Sequence, residues 1–387
     1  MAPAPPNLST LQISGFSPAE LSYLHTSLSY LNNPIRPDGR SATQFRPLTA
    51  ETNIVPNANG SARIGFADGS QAIVGVKAEV EKTKTVLAGT ESSSEAQVEA
   101  GKDDEEARRR VVVGSGSWVE MAIEIPGLRD DDPLPILLAE MMREGLVQSG
   151  ARTGSGARSA GLKERLVINQ GWHWRLYVDV LLLSPPLSYP LPLLSLTTHL
   201  ALLSTKLPRL ISKDEEDPMF DDDWEAAEYL YPRVATTRLG QVGRAVFRPP
   251  ISLLVISVAE NIIFDPSREE LAVADAVFCV SVARDENINL HHADAGSLKL
   301  LAIRTIDPPA RMSHPGLPNV VNAAAIGLAG ENSKKVEYQP GDAVPGVWTP
   351  RRGGVKRGVI SRIVKLVLQR GGVGDEVMGG LEGVEVD

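Results

Sequence analysis

The sequence predicts an α+β fold in two successive units. Three observations carry the prediction. Strand patterns with turn chemistry fill residues 46–80, helical patterns are few and stand apart from them, and a fresh strand-rich run opens near residue 233. A chain of 387 residues suggests two or three folding units, and 42% hydrophobic residues suffice for real cores. No internal repeat in residue identity is present.

Residues 1–33 read as an N-terminal helical extension. Ser17-Pro18-Ala19-Glu20 places Ser at the N-cap, Pro at N1 and Glu at N3; Leu21, Leu24, Leu28 and Leu31 follow on one face, and Asn32-Asn33-Pro34 stops the helix. Next, Ile35-Arg36-Pro37-Asp38-Gly39-Arg40 is turn chemistry made rigid by proline and bracketed by two arginines. Arg46 to Val55 and Ser61 to Val80 then alternate as strands. Asn59-Gly60 and Asp68-Gly69 divide them as type I′ turns, which gives a three-strand meander.

The Ser/Glu/Lys-rich run at about 83–110 is expected to be a disordered insertion. Val111 to Val113 and Trp118 to Ile125 are strand-like, Pro133 to Val147 is helical, and Ser149 to Gly161 is a Gly/Ser/Arg-rich loop. Trp172 to Leu183 reads as a buried strand and Leu191 to Leu207 as a helix, followed by an acidic connector. In the second unit, starting near Val234, Ser252 to Val258, Ala276 to Ala283 and Ile288 to His292 are strands. A Gly/Pro-rich stretch at about 307–354 is expected to be a flexible insertion, and Val355 to Gln369 closes the chain as a helix stopped by Gly371-Gly372.

Bulk properties bound the function. The single cysteine, Cys279, allows no intrachain disulfide; its apolar setting predicts burial and its isolation a reducing compartment. Met1 to Asn7 is proline-rich and does not read as a secretory leader. Asp179, Pro185, Pro186, Pro190 and Pro192 interrupt the longest apolar region, so it is not expected to span a membrane. A net charge of −9 argues against a free-standing nucleic-acid binder. Much of the acid lies in Glu91 to Glu106 and Asp214 to Asp223, read as solvated loops, which leaves a more neutral body for a local basic patch.

Several motifs are set aside on their chemistry. His291-His292 are adjacent and on a strand point to opposite faces. Gly114-Ser115-Gly116-Ser117 lacks a P-loop ending, and the acidic run from Asp214 to Asp223 lacks EF-hand spacing. No zinc spacing of Cys and His and no nucleophile elbow is present.

Taken in order, the arginine turn, Asn59-Gly60-Ser61-Ala62-Arg63 entering a strand, Val74-Gly75-Val76-Lys77-Ala78-Glu79 leaving one, the strand ending Tyr177 to Leu183 and the segment Asp265-Pro266-Ser267-Arg268-Glu269-Glu270 resemble the RNase PH family. Val76 to Glu79 resembles the version found in subunits of the RNA exosome ring. The resemblance implies a larger first domain at 34–232 and a smaller second one at 233–387. It also implies partners: other RNase PH-like ring subunits, S1/KH-domain cap subunits, a catalytic nuclease, and single-stranded RNA threaded through the ring, in nucleus, nucleolus and cytoplasm.

Phosphorolytic members hold phosphate with a glycine-rich loop ending in Ser/Thr-Arg after the central strand. Here Ser184-Pro185-Pro186-Leu187-Ser188-Tyr189-Pro190 occupies that place. Three prolines remove three donors and no arginine is present in it. Asp265, Glu269, Glu270 and Asp275 are the candidates for a metal-binding carboxylate pair, and the expected role is instead to cap and solvate a helix start. The expectation is therefore a scaffold without catalytic residues, metal or cofactor. Arg143, Arg152, Arg158 and Lys163, with Arg165, are the candidate RNA contacts, because they lie on or after the helix that in the family borders the RNA path. The runs Arg108-Arg109-Arg110 and Arg351-Arg352 with Lys356-Arg357 read as solvated surface. The alternatives are an active phosphate-dependent exoribonuclease and a stand-alone RNA-binding protein.

Overall fold

The computed structural model describes residues 16–30, 33–83, 114–129, 131–148, 161–212, 217–231, 248–284, 297–306, 348–349 and 354–384. The readings made at Leu31, Val111 to Val113, Val234 and Ile288 to His292, and those on most of 83–110, 149–161 and 307–354, lie outside the described residues.

Helix α1 (Pro18–Leu28) starts with the expected capping box: the Ser17 hydroxyl accepts from the Glu20 N–H, and the Glu20 carboxylate accepts from the Ser17 N–H at 2.6 Å. Its Leu21, Leu24 and Leu28 are buried. Strands β1 (Leu48–Thr52), β2 (Gly60–Phe66) and β3 (Gln71–Lys82) form the predicted antiparallel meander.

Its turns differ from the prediction. Asn59-Gly60 is not a type I′ turn: residues 53–59 connect β1 to β2, the left-handed residue is Asn53 with φ 54°, and Gly60 is the first residue of β2. Between β2 and β3 only Gly69 is left-handed, with φ 89°, and Phe66 N–H reaches Ser70 O at 2.8 Å, so the loop is longer than a two-residue turn.

A short 3₁₀ turn at Gly116–Trp118 leads into β4 (Val119–Glu124). The crossover through α2 (Pro133–Gln148) and α3 (Leu162–Arg165) lets β5 (Trp172–Leu182) pair with β4 in parallel and with β3 antiparallel. The first sheet thus runs β1-β2-β3-β5-β4.

Helix α4 (Leu191–Ser204) is buried at every residue, as a helix that is apolar all round must be. It touches β1, β2, β3 and β5 of the first sheet and β8 of the second, and so forms the shared centre of the molecule. The predicted extension of this helix to Leu207 fails because Thr205 turns extended. Residues Lys206–Leu207 instead form β6, paired with β7 (Glu228–Tyr229).

The second sheet, in the order β11-β10-β8-β9, contains β8 (Ile251–Val258), β9 (Asn261–Phe264), β10 (Ala276–Arg284) and β11 (Leu298–Ile306). All of β8 and all but the last residue of β10 are buried, which requires cover on both faces. Helix α5 (Arg268–Ala272) lies between β9 and β10, and helices α6 (Arg357–Leu368) and α7 (Val373–Glu382) end the described chain. Strands β7, β9 and β11 and helices α3 and α7 were not foreseen. No helix among the described residues is long and apolar enough to cross a membrane.

Candidate functional site

The arginines of the turn do not face solvent, although Ile35, Pro37, Asp38 and Gly39 do. Gly39 adopts φ 74° and its N–H bonds Arg36 O at 3.1 Å, a tight reversal that sends the Arg36 side chain inward. Arg36 is buried and grips Glu270 with a two-pronged pair, Nε to Oε1 at 2.7 Å and Nη2 to Oε2 at 2.9 Å. The same guanidinium donates to the carbonyls of Ser41, Phe264 and Asp265. A planar fork suits this position, since it satisfies a carboxylate and several carbonyls at once.

A second knot is centred on Asp265, which is fully buried. Its carboxylate accepts from Arg40 Nη1 at 2.9 Å, from Arg46 Nη2 at 2.6 Å and from the Arg46 backbone N–H at 2.9 Å. Asp265 holds φ 46°, a left-handed value that a non-glycine residue keeps only where its surroundings enforce it. The arginines on both its carboxylate and its carbonyl supply that enforcement.

These contacts correct one expectation. Glu270 does cap its helix, through a reciprocal box with Ser267, but neither it nor Asp265 is solvated. Both carboxylates are consumed by arginines of the first unit. Such buried pairs resist removal of either partner, and each of the four carboxylate oxygens already accepts from a donor. Among the described residues no group of three or more His, Cys, Asp or Glu could hold a metal.

The loop after β5 is tied down as well. The Ser184 hydroxyl accepts from the Gln71 N–H, Tyr189 is buried, and Pro190 caps α4 without a side-chain hydrogen bond. The structure adds something the sequence did not reveal: Arg46, from the start of the meander, donates to Ser188 Oγ at 2.8 Å. The loop itself contains no arginine, yet one reaches it from elsewhere. That arginine is occupied, because Asp68 Oδ2 also lies 2.6 Å from its Nη1. Burial alone would lower its pKa, but Asp265 and Asp68 outweigh burial and hold it above its ordinary value.

The predicted RNA contacts separate into two groups. Arg143, on α2, lies over the Gly116 carbonyl at 3.1 Å and pairs with Glu140 through two bonds of 3.0 and 3.1 Å; the Glu140 contact raises its pKa. Lys163, on α3, backs onto the same short segment, for a Cβ on Gly114 would collide with its carbonyl. The fold therefore brings the Arg143 side chain and the Lys163 backbone against residues 114–116. Arg165, two residues on, turns away from that segment, donating to Leu230 O at 2.8 Å and stacking on the Tyr231 ring. Arg152 and Arg158 lie outside the described residues.

Comparison with known proteins gives three likenesses. Exosome complex component RRP42 of Saccharomyces cerevisiae is 30% identical over 270 residues, covering 68% of this chain and 80% of that protein. Exosome complex component rrp42 of Schizosaccharomyces pombe is 28% identical over 278 residues, covering 68% and 77%. A solved structure described as the Archaeoglobus fulgidus exosome with RNA bound to the active site aligns with a TM-score of 0.47 and 21% identity, over 74% of this chain and 87% of that one. No family model matches the chain.

Proposed function

The chain belongs to the Rrp42 family of exosome complex components, and from that premise we propose that it is a non-catalytic, RNase PH-like subunit of an exosome core ring. Its role is to scaffold the ring and to offer cations to RNA on its way to being processed or degraded. One observation carries the absence of chemistry: Asp265 and Glu270, the carboxylates a metal would need, are both locked onto Arg36, Arg40 and Arg46. The proline-filled loop after β5 supports the same reading, since it cannot present the row of backbone N–H groups that holds phosphate.

On this proposal the neighbours are other RNase PH-like ring subunits. S1/KH-domain caps and a separate nuclease complete the assembly, which acts in nucleus, nucleolus and cytoplasm. Two measurements test the reading. Incubated alone with single-stranded RNA, phosphate and magnesium, the chain is expected to release no nucleoside diphosphate; release would establish an exoribonuclease instead. Native mass measurement of the tagged chain from its own cells is expected to give a hetero-oligomer of ring size, and recovery as a lone monomer would sink the scaffold role.

A further inference from the structure

Residues 354–372 carry five cations, Lys356, Arg357, Arg362, Lys365 and Arg370, and no carboxylate, in a chain whose net charge is −9. The fold puts three of them, Arg357, Arg362 and Lys365, on one side of α6, with Lys356 at its N-cap. Val359, Ile363 and Val367 recur every fourth residue and are buried, while Arg357, Gly358, Ser361, Arg362 and Lys365 form the exposed face of α6. From Arg357 to Lys365 that face runs about 12 Å, with side chains repeating each turn of about 5.4 Å.

Helix stability does not explain this placement. Helices α1 and α5 begin with a serine cap and a glutamate, the sign that the helix dipole favours at an N-terminus. Helix α6 begins with Lys356 at the N-cap and Arg357 next, the disfavoured sign, and has no side-chain cap. What such an end does suit is an anion, drawn both by the two cations and by the first-turn amides. Of the nearby carboxylates, Asp375 and Glu382 bind Arg284 away from this face, whereas Glu260 pairs with Arg362 on it and offsets that one charge. No atom lies within 4 Å of where a Cβ on Gly358 would project, so the face stays low and open.

We propose that the exposed face of α6 is a second phosphate-binding surface, occupied by the backbone of single-stranded RNA and carried by a different helix from Arg143 and Lys163. The charge argument stands by itself; the choice of RNA over an acidic protein rests on the proposed function. Cations spread along one helix face, with Arg357 and Lys365 about two turns apart and Arg362 beside them, can meet phosphates of one strand without reading bases.

Anisotropy of a labelled oligo(U) strand bound to the full chain, measured across a potassium chloride series, tests this. Replacing Lys356, Arg357 and Lys365 together by Gln is expected to weaken binding at least about tenfold and to flatten the log–log salt slope by about 2. Exchanging the same cations, Lys356→Arg, Arg357→Lys and Lys365→Arg, is expected to keep both values near wild type. Arg143→Gln, measured alongside, reads the other surface independently. The inference is overturned if the triple Gln variant keeps wild-type affinity and slope, whatever Arg143→Gln does. It is equally overturned if the charge-preserving variant loses as much as the Gln variant, if polyglutamate displaces the strand as well as unlabelled oligo(U), or if the full chain binds no RNA.

Discussion

Arg36 donates to partners from three stretches of chain: Glu270 in α5, the carbonyls of Phe264 and Asp265 ahead of it, and that of Ser41 beside it. Its motif was legible in the sequence, because Pro37, Asp38 and Gly39 announce a turn whatever follows. Its partner was not, since Glu270 lies 234 residues away and reads locally as a helix cap. Both roles turn out to coexist in one carboxylate. Glu270→Ala is accordingly expected to cost about 3–5 kcal/mol in urea denaturation, because it leaves a buried guanidinium uncompensated. A loss below about 1 kcal/mol, the size of a surface cap, would show that the pair is not what holds the arginine turn to α5.

At the scale of elements, periodicity located α1, α2, β3 and β5 well, and it failed where contacts overrode local signals. Asn59-Gly60 has the composition of a hairpin turn, but the glycine is required by a neighbour: a Cβ there would sit 2.5 Å from Thr205 Cα. Gly60→Ala should therefore destabilise the protein by about 1–3 kcal/mol through overpacking. Gly69→Ala should act by a different route, backbone strain at φ 89° with open space around it. Thermal melts of the two variants, each with a structure of the β2–α4 contact, separate the causes; an unshifted contact in a stable Gly60→Ala protein would refute the packing argument. Helix α7 was hidden for the same kind of reason. Gly371-Gly372 reads as a full stop, yet Gly374 continues into a helix by nesting against Leu298 and Val367.

For the whole molecule, α4 is the element that both sheets share, and it carries a fully buried histidine. Burial first, then the charges of Arg248 and Arg284, lower the pKa of His199 to about 3 against an ordinary 6.5. The unfolded chain thus binds a proton that the native one refuses between those values, and stability falls as pH falls. The contribution is complete above pH 6.5 and is lost progressively down to about pH 3. At pH 5 the loss is on the order of 2 kcal/mol. Denaturation midpoints for the wild-type chain and for His199→Gln between pH 7 and pH 5 check this. The wild type is expected to lose more than the variant, and parallel curves would exclude His199 as the titrating group.

Alone, the sequence determined the α+β class, the meander, the capping box at Ser17 and the proline-filled loop after β5, because each depends on local residue patterns. Only the tertiary structure decided that Asp265 and Glu270 are sequestered by three arginines, that Arg46 reaches Ser188, and that the Arg143 side chain and the Lys163 backbone meet one short segment while Arg165 turns away. Those facts depend on which groups the fold brings together across separations of 27 to 234 residues. In a low-dielectric interior a charge must take whatever opposite charge the fold supplies.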